Sequence, residues 1–349
     1  MSFPISRKTN NPGRKTTTFH KGLRINWDHR AVHTVKGEEY KMKQKAKAKT
    51  KTSWKSVFRH WELYAMMVPG LIYLIVNNYI PMAGLVVAFK NYNYKEGIWG
   101  SAWCGLKNFK FLFGTRDAGL MIRNTLGYNL VFIITGTVFA IVVAIVLNEI
   151  RAALPKKIYQ VFILIPYLIS MVVVSYIAFA FLSTDAGFIN KTMGTRTNWY
   201  MTQKYWPFIF VIINLWKSFG YNSIIYYATV IGIDSSLYEA AVVDGASRWQ
   251  RIWHVTLPGL RPTIITMTLL AVGRVFYSDF GLFYQVPQNS GLLYDVTTTI
   301  DVYVYKGLML LNDVGRSAAA GFFQSICGFI LVLTANMVVN KVDKDNALF

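Results

Sequence analysis

The chain of 349 residues is 53% hydrophobic and 15% aromatic, with a mean hydropathy of +0.31, a balance that excludes an ordinary soluble globular domain. Its formal net charge of +20 does not point to a nucleic-acid partner, because the basic residues crowd into the N-terminal stretch instead of spreading over a folded domain. Two distant cysteines, Cys104 and Cys327, and the scattered His20, His29, His33, His60 and His254 offer neither a disulfide framework nor a metal-ligand spacing.

Residues 1–60 read as a polar cytoplasmic tail, densest at Lys41, Lys43, Lys45, Lys47, Lys49, Lys51 and Lys55. Lysine alternating with alanine and threonine has no apolar face to bury, so disorder or a loosely surface-bound segment is expected. The run either meets anionic membrane lipid or only fixes topology by the positive-inside rule. Met42 stands inside it, which leaves residues 1–41 open as an upstream extension.

Six apolar stretches follow within 61–340, at about 63–89, 125–147, 158–182, 206–231, 262–284 and 316–339, each near the roughly 20 residues a bilayer core demands. The chain is therefore expected to be an all-α polytopic membrane protein. The first stretch is broken by Pro69-Gly70 and by Asn77-Asn78 ahead of Pro81, so a kinked but retained helix is expected there. Asn124 is placed to cap the second. Arg151, Lys156 and Lys157 set the connection to the third in the cytoplasm with the N-terminus, and an even number of spans returns a short tail, 341–349, to that side. Lys90, Lys95, Lys107, Lys110, Arg116 and Arg123 crowd the first external loop, so orientation rests on the N-terminal block and on parity.

Between the fourth and fifth stretches lies a polar, amphipathic island at 235–258, too short and too polar to span a bilayer. Ser235 or Ser236 can cap a short helix through Ala241, whose small Ala240 and Ala241 let another surface approach closely. Asp244-Gly245 supplies a turn, Ser247 caps a second short helix, and Pro258 separates it from the run beginning near Pro262.

Glu239-Ala240-Ala241, Gly245 and the closing Val255-Thr256-Leu257-Pro258 resemble the EAA loop of permease subunits of binding-protein-dependent ABC importers, with Val255 where isoleucine is usual. Further signposts resemble those of the sugar-class, polysaccharide-type permeases and fall in the family's order: Gly105-Leu106-Lys107-Asn108-Phe109, Asn124-Thr125, Gly187-Phe188-Ile189-Asn190, Trp216 to Ser223, and Asp301-Val302-Tyr303-Val304-Tyr305. The likeness implies six transmembrane helices of the type I ABC importer permease (MetI-like) fold with a cytoplasmic coupling helix. It implies a heterodimer with a second permease subunit, a cytoplasmic ABC ATPase dimer and an extracytoplasmic solute-binding protein. On this likeness Glu239, Ala240, Ala241 and Gly245 are the ATPase contact and bend positions, and Leu257 and Pro258 anchor the loop to the fifth span. Arg248 and Arg251 either add contacts to the ATPase or lie on lipid headgroups.

No P-loop sequence occurs, so the chain itself is expected to bind no cofactor, ATP and Mg belonging to the partner ATPase. An intramembrane enzyme would need convergent ionisable groups, whereas the spans carry only Lys217, Arg274 and Asp279. A scaffold or sensor without transport is the other alternative, opposed by the docking loop. Sugar recognition needs aromatic faces and amide or hydroxyl groups. Candidates along a translocation path are Asn78, Tyr128, Asn129, Trp216, Lys217, Tyr221, Asn222, Arg274, Tyr277 and Gln324, each of which also fits an interfacial belt or an interhelical hydrogen bond. Lys217 and Tyr221, at i and i+4, share one helix face.

Overall fold

The computed structural model describes residues 61–150 and 152–342. The basic tail at 1–60, Arg151 and residues 343–349 of the expected C-terminal tail lie outside the described residues. The chain divides into two compact units, Met1–Asn78 and Tyr79–Phe349. Among the described residues the secondary structure is helical, apart from an isolated bridge between Lys90 and Trp103. Among the described residues five helices are long and apolar enough to cross a membrane, six if one sharply bent pair counts as a single span.

The first span is a helical run, Trp61–Phe89. It opens as α1 (Trp61–Leu74), which accommodates Pro69, and loosens into a π turn at Ile75–Tyr79 over Asn77 and Asn78. A 3-10 segment, Ala83–Phe89, closes it. Asn108 in α2 (Lys107–Phe113) donates its amide to the carbonyls of Ala88 at 2.9 Å and Lys90 at 3.0 Å, so the first signpost ties a loop to the end of the preceding helix.

The second span, α3 (Arg116–Glu149), starts at Arg116 and not at Thr125. Asn124 does not cap it. Its buried amide donates across the fold to the carbonyls of Asp295 and Thr298, both at 2.9 Å, and Thr125 Oγ1 accepts from the Ile300 N–H at 3.0 Å. A polar side chain inside a helix can satisfy a distant loop as well as its own terminus, and sequence position alone does not distinguish the two.

The third span is not one straight helix. It is α4 (Ala153–Leu168) followed by α5 (Met171–Leu182), bent by 93°. Pro166 denies the ladder a donor and α4 ends within a turn of it, while Ser170 restarts the chain by accepting the Val173 N–H on its hydroxyl. Beyond α5, α6 (Phe188–Met193) carries Asn190, which donates to the carbonyls of Thr184 and Thr197 and accepts from the Trp199 indole. The fourth span, α7 (Trp206–Ile231), has the bounds expected of it, with proline in its first turn and Gly232 at its end.

After the loop helices α8 (Ser235–Val243) and α9 (Arg248–Arg251), a π stretch at Ile252–Thr256 runs without a break into α10 (Leu257–Gly273). Pro258 therefore does not separate loop from span. It sits in the first turn after the widened stretch, where its missing N–H interrupts least. The fifth span ends at Gly273 instead of Tyr284, because the carbonyls that follow are taken up by side chains of other helices. Asn129 donates to Val275 O and Tyr277 O, and Gln324 to Phe276 O. A second π turn, Gly281–Gln285, and α11 (Ile300–Met309) lead to the last span, α12 (Val314–Val342), longer at both ends than the expected 316–339.

Small residues let the long helices meet. Ala140, Ala144 and Leu147 of α3 bury against Tyr226, Tyr227 and Val230 of α7 and Leu260 of α10. At the opposite end of α7, Trp206 and Phe210 pack with Val174, Ala178 and Leu182 of α5 and with Leu282, Phe283 and Val286. The C-terminal ends of α3 and α7 and the start of α10 thus share the end that carries the island at 235–258.

Candidate functional site

The island folds as two back-to-back capped helices. The cap of α8 is Asp234, not Ser235 or Ser236: its Oδ1 accepts the Ser236 N–H at 2.9 Å, and that backbone bond, with the Ser236 hydroxyl, holds the carboxyl below the usual carboxylate range. A carboxylate serves a helix N-terminus better than a hydroxyl because it also meets the positive end of the dipole. The helix continues past Ala241 to Val243. It ends in a Schellman turn, with Gly245 at φ +75°, the Gly245 N–H on Val242 O at 3.0 Å and the Ala246 N–H on Ala241 O at 2.9 Å.

One residue later α9 begins with a full capping box. Ser247 Oγ accepts the Gln250 N–H at 3.3 Å, and Gln250 Oε1 accepts the Ser247 N–H at 2.7 Å. The module is then fastened to the helices behind it. Tyr238 Oη and Thr256 Oγ1 lie 3.0 Å apart, Ile233 fits against Gly259, and Arg248 reaches Glu149 of α3 at 3.9 Å. The last contact joins two exposed side chains and orients more than it stabilises.

The opposite surface of the module is open. Glu239, Ala240 and Gly245 are exposed and Ala241 is half-buried, with Leu257 half-buried and Pro258 exposed at the root of α10. Around them stand Val242, Val243 and Trp249, the last two 86% and 73% exposed. A rigid knob of small, acidic and apolar groups can insert into another protein's cleft but performs no bond chemistry. The apolar rim of Val243 and Trp249 escaped the sequence reading, although both residues lie within the island.

The path candidates do not converge on one point. Tyr128 donates to Val296 O at 3.0 Å, and its ring packs with Phe210 and Phe283. Asn129 is spent on the carbonyls of Thr125, Val275 and Tyr277. Gln324 also donates to Asp301, whose Oδ2 accepts from both the N–H and the hydroxyl of Ser278. Lys217 donates to three carbonyls of the bent third span, and Tyr221 stacks on Tyr167 at 4.6 Å. Trp216 borders an apolar hollow with Ile212 and Phe181. Asn222 shares a cavity of about 200 Å³ with Asn214, Ser218, Thr137 and Tyr226, between α3, α7 and α10. Arg274 and Tyr277 are exposed beyond the end of α10, and Asn78, also exposed, lies in the other unit. Asp301 and Ser278, absent from the candidates, anchor the segment after α10, and the Asp301 signpost was the available clue. Among the described residues no group of three His, Cys, Asp or Glu side chains could hold a metal ion.

Outside the spans, burial pushes Tyr200 and Tyr294 up to about 12, the latter with help from the Asp117 carboxylate. The Tyr200 hydroxyl is buried with no hydrogen-bond partner. Both values lie above the ordinary 10.0, so the stability these rings contribute is complete below pH 10 and is lost as pH rises toward 12. The melting temperature of the detergent-solubilised protein is expected to fall across that window, and to fall less in Tyr200→Phe.

Residues 136–344 match the family described as binding-protein-dependent transport system inner membrane component. Protein LplB of Bacillus subtilis is 33% identical over 299 residues, covering 84% of this chain and 93% of that protein. The polygalacturonan/rhamnogalacturonan transport system permease protein YteP, also of Bacillus subtilis, is 34% identical over 290 residues, covering 81% and 89%. A chain of a bacterial ABC transporter that imports the acidic polysaccharide alginate superposes with a TM-score of 0.76 at 30% identity, covering 83% of this chain and 99% of its own. A second structure of an alginate ABC transporter, in complex with a periplasmic protein holding an alginate pentasaccharide, matches equally well. A multi-pass helical chain matched over most of its length by such proteins belongs to the binding-protein-dependent transport system inner membrane component family and is a transport component, not an enzyme.

Proposed function

We propose that the chain is a permease subunit of an ATP-driven importer that carries oligosaccharides or polysaccharide fragments across the cytoplasmic membrane. The observation that carries this reading is the self-capped knob at 234–258, whose open face holds Glu239, Ala240, Ala241 and Gly245 and whose helix α8 is tied by Tyr238 to Thr256 of the π stretch that runs on into α10. A cytoplasmic ATPase dimer takes that knob in a cleft. Closure of the dimer on ATP and Mg, both bound by the ATPase, moves the knob and with it α7 and α10, a rigid-body switch between inward- and outward-facing states. Leu257 and Pro258 fix the knob to α10.

The remaining partners are a second permease subunit, completing a heterodimeric path, and an extracytoplasmic solute-binding protein. In this reading both termini lie in the cytoplasm. Saccharide as cargo is supported by the names of the relatives, and the amides and hydroxyls of Asn214, Ser218 and Asn222 around the cavity in the spans are groups that can exchange hydrogen bonds with sugar hydroxyls. Trp216 and Tyr277, both exposed, would offer ring faces to such a path, and Arg274 a charge, whereas the rings of Tyr128 and Tyr221 are already packed on other aromatic residues.

Proteoliposomes containing this chain, the neighbouring permease, the ATPase and the binding protein test the reading. ATP-dependent accumulation of a labelled oligosaccharide, absent when the binding protein is omitted, is the expected result. An assembly that hydrolyses ATP in response to loaded binding protein and accumulates nothing would make the chain a sensor instead.

A further inference from the structure

Lys217 is the one basic residue inside α7, and its surroundings are unlike those of a substrate ligand. Its ammonium has three protons, and three carbonyls receive them: Ile169 at 2.5 Å, Tyr167 at 3.1 Å and Pro166 at 3.5 Å. Those carbonyls belong to the corner where α4 stops and α5 begins at 93°. A helix end inside a bilayer leaves carbonyls without a following turn to satisfy them, Pro166 O alone of these three accepting a backbone N–H, that of Ile169 at 3.3 Å, and it carries the negative end of the dipole. A cation with three donors answers both needs.

Two further contacts fix the corner from the same helix face. Tyr221, one turn on, stacks on Tyr167 with planes 12° apart. Gly220 lets the α4 backbone in so closely that a Cβ there would stand 1.7 Å from Ile163 O. Both halves of the bent span touch α7, α4 beside Gly220 and α5 beside Trp206 and Phe210, and α5 packs in addition on α6 and on the π turn at Gly281, where Met171 sits against Gly281.

We infer that Lys217 is a positioning residue for transport: it clamps the corner of the third span to α7, so that movement of α7 reaches α5 and the Gly281 turn at the far end of the fold. The inference rests on α7 being moved by an ATPase through the loop that follows it. Lys217 has no donor left for a sugar hydroxyl in this conformation, and its place in the mechanism is mechanical.

The test uses the full assembly in proteoliposomes, with Cys104 and Cys327 replaced by serine and spin labels on Phe162→Cys in α4 and Tyr176→Cys in α5, both exposed positions. In Lys217→Met the distance distribution between the labels is expected to broaden, and uptake to fall at least tenfold while ATP hydrolysis and the amount of membrane-inserted protein stay within twofold of wild type. Lys217→Arg, which keeps the donors, should restore a narrow distribution and at least half the uptake. Wild-type uptake in Lys217→Met, or lost uptake with an unchanged distribution, overturns the inference. If Lys217→Met fails to reach the membrane, Lys217→Arg decides: a narrow distribution with uptake retained supports the clamp, and a tenfold loss with the distribution unchanged overturns it. An unmodified assembly that neither hydrolyses ATP nor accumulates saccharide would instead overturn the proposed function, and the label distances would still report on the corner.

Discussion

Gly245→Pro is expected to abolish uptake while leaving the protein in the membrane. The residue sits at φ +75°, and its N–H closes the Schellman turn on Val242 O at 3.0 Å. Proline holds φ near −65° and has no N–H, so the turn between α8 and α9 cannot form as it stands. A cost of about 3 kcal/mol, the scale of a proline forced into a helix, corresponds to roughly a hundredfold loss of the docking-competent knob at about 1.4 kcal/mol per tenfold. Gly245→Ala keeps the N–H and meets only left-handed strain of about 1–2 kcal/mol, so a milder loss is expected. No neighbour crowds this glycine, which confines the effect to backbone conformation. Glu239→Lys reverses a charge on the exposed face and should uncouple in the same way. The measurement is saccharide uptake beside binding-protein-stimulated ATP hydrolysis and membrane abundance; unchanged uptake and coupling in both Gly245→Pro and Glu239→Lys would sink the docking role.

Gly220→Val is expected to damage the fold itself. Its Cβ would stand 1.7 Å from Ile163 O and 2.5 Å from Ile163 C, both backbone atoms that no rotamer change can move aside. The α4 backbone must retreat from α7, which stretches the Lys217 bonds and unstacks Tyr167 from Tyr221 together. Overpacking costs of about 1–3 kcal/mol are usual in packed cores, and the upper end applies where backbone meets backbone. Thermal unfolding in detergent should show a clear drop, with Gly127→Ala, which meets nothing within 4 Å, as the control that does not move. Equal melting temperatures for the two variants would mean that the contact of α4 with α7 at Gly220 contributes nothing to stability.

The helical class, the position of α7 and the two-helix island were legible because they are written locally, in runs of apolar residues and in capping groups a few positions apart. The corner of the third span was not legible. Pro166 and Ser170 are each compatible with a straight helix end elsewhere, and the residue that stabilises the bend, Lys217, lies far along the chain. The amide signposts were visible as motifs but not as what they are physically. Asn108, Asn124 and Asn190 each donate to carbonyls of loops or short helical turns distant from their own helix ends, and only the folded chain reveals which ones. Pro258 misled for a related reason: a π stretch immediately before it absorbs the lost donor, and nothing in the local composition announces that stretch.

The unbroken run from Arg248 to Gly273 has a mechanical corollary. Its 26 residues span about 39 Å at 1.5 Å per residue, so on the proposed coupling role the knob and the exposed Arg274 would be the two ends of one lever. A tilt of about 5° about one end carries the other through about 3 Å, comparable to the diameter of a water molecule, by the same helix length. The π stretch at Ile252–Thr256, Pro258 and Pro262 all lie near the loop end of the run, so the places where it can bend are gathered there and the part beyond Pro262 carries no such break.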